Sequence, residues 1–192
     1  MLTFGHVRDV INSALLSHFN EDATMATANE RTRVARILVH LDRHMSSCEL
    51  CAGLNVDSEY SRVGAGFTNK ELSGRRVFPD LLVHARTVQT ANVLAAEVKL
   101  RESSRPRTGP DHKDQVKIDI MTGHQFGIPA GMTPYKVGLC INLNENSAEG
   151  WWTVPIADLW HEYETFGAPP SLAVVAASDT VVWNTLGGPA EW

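Results

Sequence analysis

Residues 77–84 and 92–100 constrain the fold of this chain more than any other feature. Both are rich in Val and Leu and read as strands. Side chains alternate along a strand. Leu81, Val83, Ala96, Val98 and Leu100 therefore share one face, and Leu82, Val93 and Ala95 the other. Strands apolar on both faces are covered on both sides, as in the middle of an α/β or α+β sheet. The polar stretch between them, Ala85 to Ala91, turns the chain. A turn centred on Val88 and Gln89 sets Asp80 directly opposite Glu97, and directly opposite residues share a face. Lys99, two residues beyond Glu97, points the same way. Slippage by one residue would scatter the three groups.

Three ionisable groups in so apolar a setting are costly to bury unpaired. One reading is structural, with Lys99 in an ion pair with Glu97 or Asp80. The other is chemical: two carboxylates and one ammonium are a minimal set for hydrolysing a phosphodiester with a bound divalent cation. The acids would hold the metal, and the lysine would face the nucleophile or the phosphate.

Pro79-Asp80 followed by Glu97-Val98-Lys99 resembles the motif of the PD-(D/E)xK nuclease superfamily, the restriction-endonuclease-like fold. That resemblance implies a core running helix, strand, strand, strand, helix, strand. The same order is predicted here over about 28–143: a helix near 28–45, strands near 54–62, 77–84 and 92–100, a helix near 112–123 and a strand near 135–143. The fold expected is thus α+β (an α/β sandwich), a mixed sheet flanked by helices. Asn29-Glu30-Arg31 at the start of a helix, and Asp57, Glu59, Tyr60 and Arg62 in the first strand, look like a group of small stand-alone bacterial members. The resemblance implies Mg²⁺ or Mn²⁺ held by Asp80, Glu97 and Glu30, Lys99 as the catalytic cation, and nucleic acid as substrate, DNA ahead of RNA. The alternative is a nuclease-fold binding or assembly module without chemistry.

Glu30 precedes Val34, Ile37, Leu38, Leu41 and Met45, an apolar stripe at helical spacing, and its place on that line aims it at the sheet. Thr27 with Glu30 also forms a capping-box pattern, which would bind Glu30 to backbone instead. Asp57 and Glu59 alternate onto one face of the first strand, with Tyr60 and Arg62 on the other; an edge strand facing water looks the same. On the helix after the Glu-x-Lys strand, Gln115 and Lys117 are candidates for contact with substrate, as Arg62 is. Asp114 and Lys117 also read as an ordinary surface pair one turn apart.

A chain of 192 residues suits a single domain with one core. Around the nuclease-like core lie an N-terminal helix, 4–19, with Phe4, Val7, Ile11, Ala14, Leu15 and Phe19 on one face, and an extension over 150–192. In that extension Trp151 to Pro155 reads as a strand, Ile156 to Phe166 as a helix, and 172–176 with 180–183 as a hairpin. All five tryptophans lie there, where core burial competes with a dimer interface or base stacking. Residues 63–76 and 101–111, rich in Gly, Ser, Pro and basic residues, are predicted loops. No apolar run is long enough to span a bilayer, and the first residues do not resemble a secretion signal, so a cytoplasmic protein is expected. Three cysteines do not make a disulfide framework; Cys48 and Cys51 have metal-ligand spacing and His40 and His44 lie just upstream, but reduced thiols are the default. The formal charge of −5 weighs against a nucleic-acid partner. Lys70, Arg75, Arg76, Arg101, Arg105, Arg107 and Lys113 flank the motif and could guide phosphate; a homodimer or protein partner could supply more basic surface.

Overall fold

The computed structural model describes residues 2, 4–58, 71–72, 75–76, 79–85, 92–100, 112–123, 133–145, 147–153, 172–174 and 181–185. Its elements, in chain order, are α1 (Phe4–Glu21), α2 (Glu30–Ser46), β1 (Asn55–Asp57), β2 (Glu71–Leu72), β3 (Arg75–Arg76), β4 (Leu81–His84), β5 (Asn92–Leu100), α3 (His112–Thr122), β6 (Val137–Leu143), β7 (Ala148–Thr153), β8 (Leu172–Val174) and β9 (Val181–Thr185). Seven strands form one mixed sheet in the order β1-β4-β5-β6-β7-β9-β8, and β2 and β3 pair separately. The architecture is α+β, a mixed sheet with helices packed on it.

β4 and β5 run antiparallel with Leu81 opposite Ala96, Leu82 opposite Ala95 and Val83 opposite Leu94. This is the register that places position 80 against position 97. Between Val83 and His84 the register shifts, so that His84 faces Asn92 and Val93 is left over as a bulge. The bulge corrects one expectation. Val93 packs with Leu81, Val83 and Ala96, not on the face of Leu82. β5 and β6 are parallel, with Glu97 opposite Cys140. Parallel neighbours need a crossover, and α3 lies within it.

Alternation along these strands divides the core. Leu81, Leu94, Ala96, Val98, Leu139 and Ile141 pack with Phe4, Ile11 and Leu15 of α1 and Ile37 and Leu41 of α2. Leu82, Ala95, Cys140 and Trp151 pack with Ile118 and Met121 of α3. β5 and β6 are therefore covered on both faces, as their composition required. Phe4 meets Trp152 edge to face at 5.0 Å, joining α1 to β7. Trp151 and Trp152 are both buried, so for these two the core reading holds. On the other side α3 approaches β6 closely at Gly138. A Cβ there would run into Ile118 Cγ2 and stand 2.9 Å from Thr122 Cγ2. Gly123, with φ of 74°, ends α3 in the left-handed conformation.

α2 begins two residues later than predicted, because Asn29 is the cap: its side-chain oxygen accepts the Thr32 amide at 3.0 Å. With Asn29 as the cap, the Thr27–Glu30 capping box does not form, and Glu30 is left free to point elsewhere. The first and second predicted strands are shorter within the described residues, covering 55–57 and 81–84. β7 starts at Ala148, ahead of the predicted strand, and β2 and β3 form inside a predicted loop. β8 and β9 pair antiparallel, Leu172 opposite Asn184, as the predicted hairpin requires. The predicted helix at 156–166, the turn at 86–91 and the loop at 101–111 lie outside the described residues. Among the described residues no helix is long and apolar enough to cross a membrane.

Candidate acid–lysine site

Asp80 stands immediately before β4, where the backbone ladder to β5 stops. Its Oδ2 accepts the Val98 amide at 2.8 Å, which fixes the carboxylate against β5. Lys99 Nζ lies 4.0 Å from the same oxygen and donates to Glu30 Oε1 at 3.2 Å. Glu30 Oε2 accepts the Leu100 amide at 3.3 Å. Freed from the capping box, Glu30 thus anchors the first turn of α2 to the end of β5 and holds Lys99 between two acids.

Glu97 is more deeply set, at 1 % exposure. Lys117 Nζ from α3 stands 2.6 Å from its Oε2 and 3.7 Å from Asp114 Oδ1. The approach to Glu97 is poorly aligned: among the described residues neither of its oxygens takes a hydrogen bond of normal geometry, and Asp114 Oδ2 is likewise buried and unbonded. Asp114 is buried, which corrects the surface-pair reading. Its position was legible, since Asp114, Ile118, Met121 and Thr122 recur at helical spacing on the buried face of α3.

Among the described residues, four carboxylates, Glu30, Asp80, Glu97 and Asp114, thus share two ammonium groups. The pKa values of Glu97 and Asp80 are both raised, with burial the first cause in each. Burial, then the nearby Asp80 charge, push Glu97 up to about 8 in spite of Lys117. Burial also raises Asp80, opposed by the Val98 amide and Lys99. Burial alone would lower Lys99, but Asp80, Asp114 and Glu30 together carry it above its usual value. Lys99 is held as a cation.

Other expected members go elsewhere or lie outside the described residues. Asp57 Oδ2 accepts from His84 Nε2 at 2.8 Å, an interstrand pair between β1 and β4. Gln115 is half-buried on α3 and makes no hydrogen bond to the four acids among the described residues. Arg62, Glu59, Tyr60 and most of the basic rim, Lys70, Arg101, Arg105 and Arg107, lie outside the described residues. The cysteines are free thiols, and burial with the neighbouring Cys48 pushes Cys51 up to about 12.

A second polar cluster escaped sequence reasoning. His18, Asp22 and His40 are all buried, and they are the one trio of His, Cys, Asp or Glu among the described residues whose ligand atoms lie within 4.8 Å of each other. The arginines around it decide its chemistry. Arg33 Nε donates to His18 Nε2 at 3.2 Å, and Arg43 lies 2.9 Å from His40 Nδ1, which must accept because arginine has only donors. Each ring therefore carries its proton on the nitrogen facing Asp22 Oδ2, at 3.2 Å from His18 Nδ1 and 2.6 Å from His40 Nε2. Arg36 takes Asp22 Oδ1 at 3.0 and 2.6 Å. Arg36 foremost, then the two histidines, hold Asp22 well below the usual carboxylate range against the effect of burial. Protonated nitrogens and three guanidinium groups make this a closed network that rivets α1 to α2, and a poor seat for a cation. The signal was present in the sequence, since His18 continues the stripe of Ile11, Ala14 and Leu15, and Asp22 follows it by one turn.

No family model, no curated protein and no solved structure matches the chain. The site rests on its own geometry.

Proposed function

We propose that this chain is a metal-dependent phosphodiester hydrolase acting on nucleic acid, with a restriction-endonuclease-like core. The observation that carries the reading is the junction of Glu30, Asp80 and Lys99 beside the buried, imperfectly paired Glu97. A structural ion pair would saturate its members, whereas among the described residues these acids outnumber their cations, and the buried Glu97 Oε1 and Asp114 Oδ2 take no hydrogen bond. Such a deficit fits a divalent cation. All the donors are carboxylate oxygens, the hard ligands suited to Mg²⁺ or Mn²⁺. Asp80 and Glu97 would hold it, and Glu30, now bonded to Lys99 and the Leu100 amide, would join them only after a shift, since the ligand oxygens of the three do not all lie within 4.8 Å of one another.

Bound there, such an ion would polarise the scissile phosphate and acidify the attacking water. The chain's own residues do the rest. The Val98 amide fixes Asp80, and packing beneath α3 fixes Glu97. Lys99 is kept charged by its acidic neighbours, so it suits electrostatic stabilisation of developing negative charge better than proton abstraction. Glu30 steers the Lys99 ammonium and ties it to the helix.

The test is cleavage of single- and double-stranded DNA and RNA with Mg²⁺ or Mn²⁺. Activity is expected in the wild type and lost by a factor of about 10³ or more in Asp80→Ala and Lys99→Ala, with circular dichroism unchanged. Intact substrates across the whole panel would refute the hydrolase. The net charge of −5 favours one other reading, a binding or assembly module. That reading predicts no Mn²⁺ site of millimolar or tighter affinity lost in Asp80→Asn.

A further inference from the structure

We infer that Lys117 is a built-in competitor for the metal: its ammonium occupies Glu97 in the metal-free protein and must withdraw before a divalent ion can load. The inference rests on the hydrolase reading of the same site and adds to it a gate on loading.

The two lysines divide the acids between them. Lys99 pairs with Glu30 and Asp80, whereas Lys117 takes Glu97 and Asp114. Lys117 Nζ stands 2.6 Å from Glu97 Oε2. A divalent ion on that oxygen would sit about 2.1 Å away if it were Mg²⁺. The two cations cannot share the position, because the space overlaps and the repulsion between charges a few ångströms apart is large in a poorly hydrated site.

One partner can yield and the other cannot. Glu97 is central in β5, between β4 and β6, and is 1 % exposed. The Lys117 side chain is 24 % exposed, on a flexible four-carbon stem in the middle of α3. Withdrawal gives up the 2.6 Å contact with Glu97 and the 3.7 Å contact with Asp114, a loss that the divalent charge arriving on the same acids would offset. A lysine that merely neutralised the acids would be expected to take a better aligned bond from such a buried carboxylate. Positioned as it is, Lys117 shields Glu97 while the site is empty and leaves room when it fills.

Mn²⁺ binding, followed by calorimetry and by the electron paramagnetic resonance of free Mn²⁺, tests the gate without any substrate. Lys117→Gln should bind Mn²⁺ on the order of tenfold more tightly than the wild type, the change that about 1.4 kcal/mol brings, and Lys117→Arg should keep the weaker affinity. The gain should vanish when Asp80→Asn is added, which assigns it to this site. In the wild type, the ¹³Cε signal of Lys117 should move to the position of a free lysine as Mg²⁺ is added, a readout that survives poor folding of a variant. Unchanged or weaker binding in Lys117→Gln, or a Lys117 signal indifferent to saturating Mg²⁺, overturns the gate and leaves the hydrolase standing. Failure of both wild type and Lys117→Gln to bind Mn²⁺ overturns both.

Discussion

A glutamate in an interior strand of a covered sheet is an expensive residue, and Glu97 is the most deeply buried of the four acids. Its pKa, pushed up to about 8 by burial and by Asp80, states that cost as a pH dependence. Below 4.5, its ordinary value, Glu97 is neutral both folded and unfolded. Between that value and about 8 the unfolded chain ionises while the native protein keeps its proton, so stability drains away as pH rises. Glu97→Gln removes the drain. In EDTA the variant should gain on the wild type from pH 4.5 to about 8, by at most about 1.4 kcal/mol per pH unit, and by a constant margin above that; urea titrations at several pH values measure it. The same variant should lose the Mn²⁺ site. A stabilised protein that no longer binds metal is the expected signature of a residue retained for chemistry. At this scale the sequence was informative where alternation alone sets direction: counting put Asp80 against Glu97 and near Lys99, whose ammonium lies 4.0 Å from the Asp80 carboxylate, but did not show that Glu97 would pair with Lys117 and Lys99 with Glu30. Glu30 could not be placed by counting, because capping box and site ligand were both compatible with its spacing, and a competing cap at Asn29 decided between them.

Elements were legible to the extent that their pattern was periodic. α1, α2, β5 and β6 carry continuous apolar stripes, and each lies within a few residues of its expected span. The bulge at Val93 was invisible, since nothing in a run of Val, Leu and Ala marks which residue loses its partner. The polar contact between α1 and α2 was legible only as the helical spacing of His18 and Asp22, because it depends on polar residues on apolar stripes. There, His18 must stay neutral to accept from Arg33, and burial lowers its pKa below 6.5 despite the hydrogen bond to Asp22; Arg33 and His40 add to the lowering. A lowered histidine contributes stability that is complete above 6.5 and lost as pH falls beneath it. His18→Gln keeps an acceptor and a donor but does not titrate. The advantage of the wild type over this variant should therefore shrink as pH drops from 6.5, by no more than about 1.4 kcal/mol per unit, whereas the contributions of Glu97 and Asp80 cancel in the comparison. Parallel thermal melts of the two proteins from pH 7.5 to 4.5 would show it, and a constant difference would mean that His18 does not titrate in the network.

Across the whole molecule the sheet acts as a frame that brings groups from opposite sides to one end of β5. Glu30 arrives from α2, which packs on one face, and Lys117 and Asp114 arrive from α3, which packs on the other. This convergence could be read only in part from sequence, because element order fixes neighbours in the chain but not how closely a helix settles on a strand. That closeness depends here on Gly138, whose lack of a side chain admits Ile118 and Thr122. Gly138→Ala would force α3 outward or twist β6, since Thr153 Cβ, 3.1 Å from the added carbon, closes the remaining direction. Overpacking of this kind costs about 1–3 kcal/mol, and in a domain of this size each kcal/mol lowers Tm by roughly 2–4 °C. The functional consequence should be one-sided. Lys117 and Asp114 ride on α3 and would move away from Glu97, while the Glu30–Lys99–Asp80 junction, built from α2, the residue before β4 and β5, would stay in place. Gly138→Ala should accordingly lower Tm in EDTA and yet relieve the competition at Glu97, so that Mn²⁺ binds at least as tightly as in the wild type. Weaker Mn²⁺ binding in a folded Gly138→Ala protein would instead show that the position of α3 helps to hold the metal.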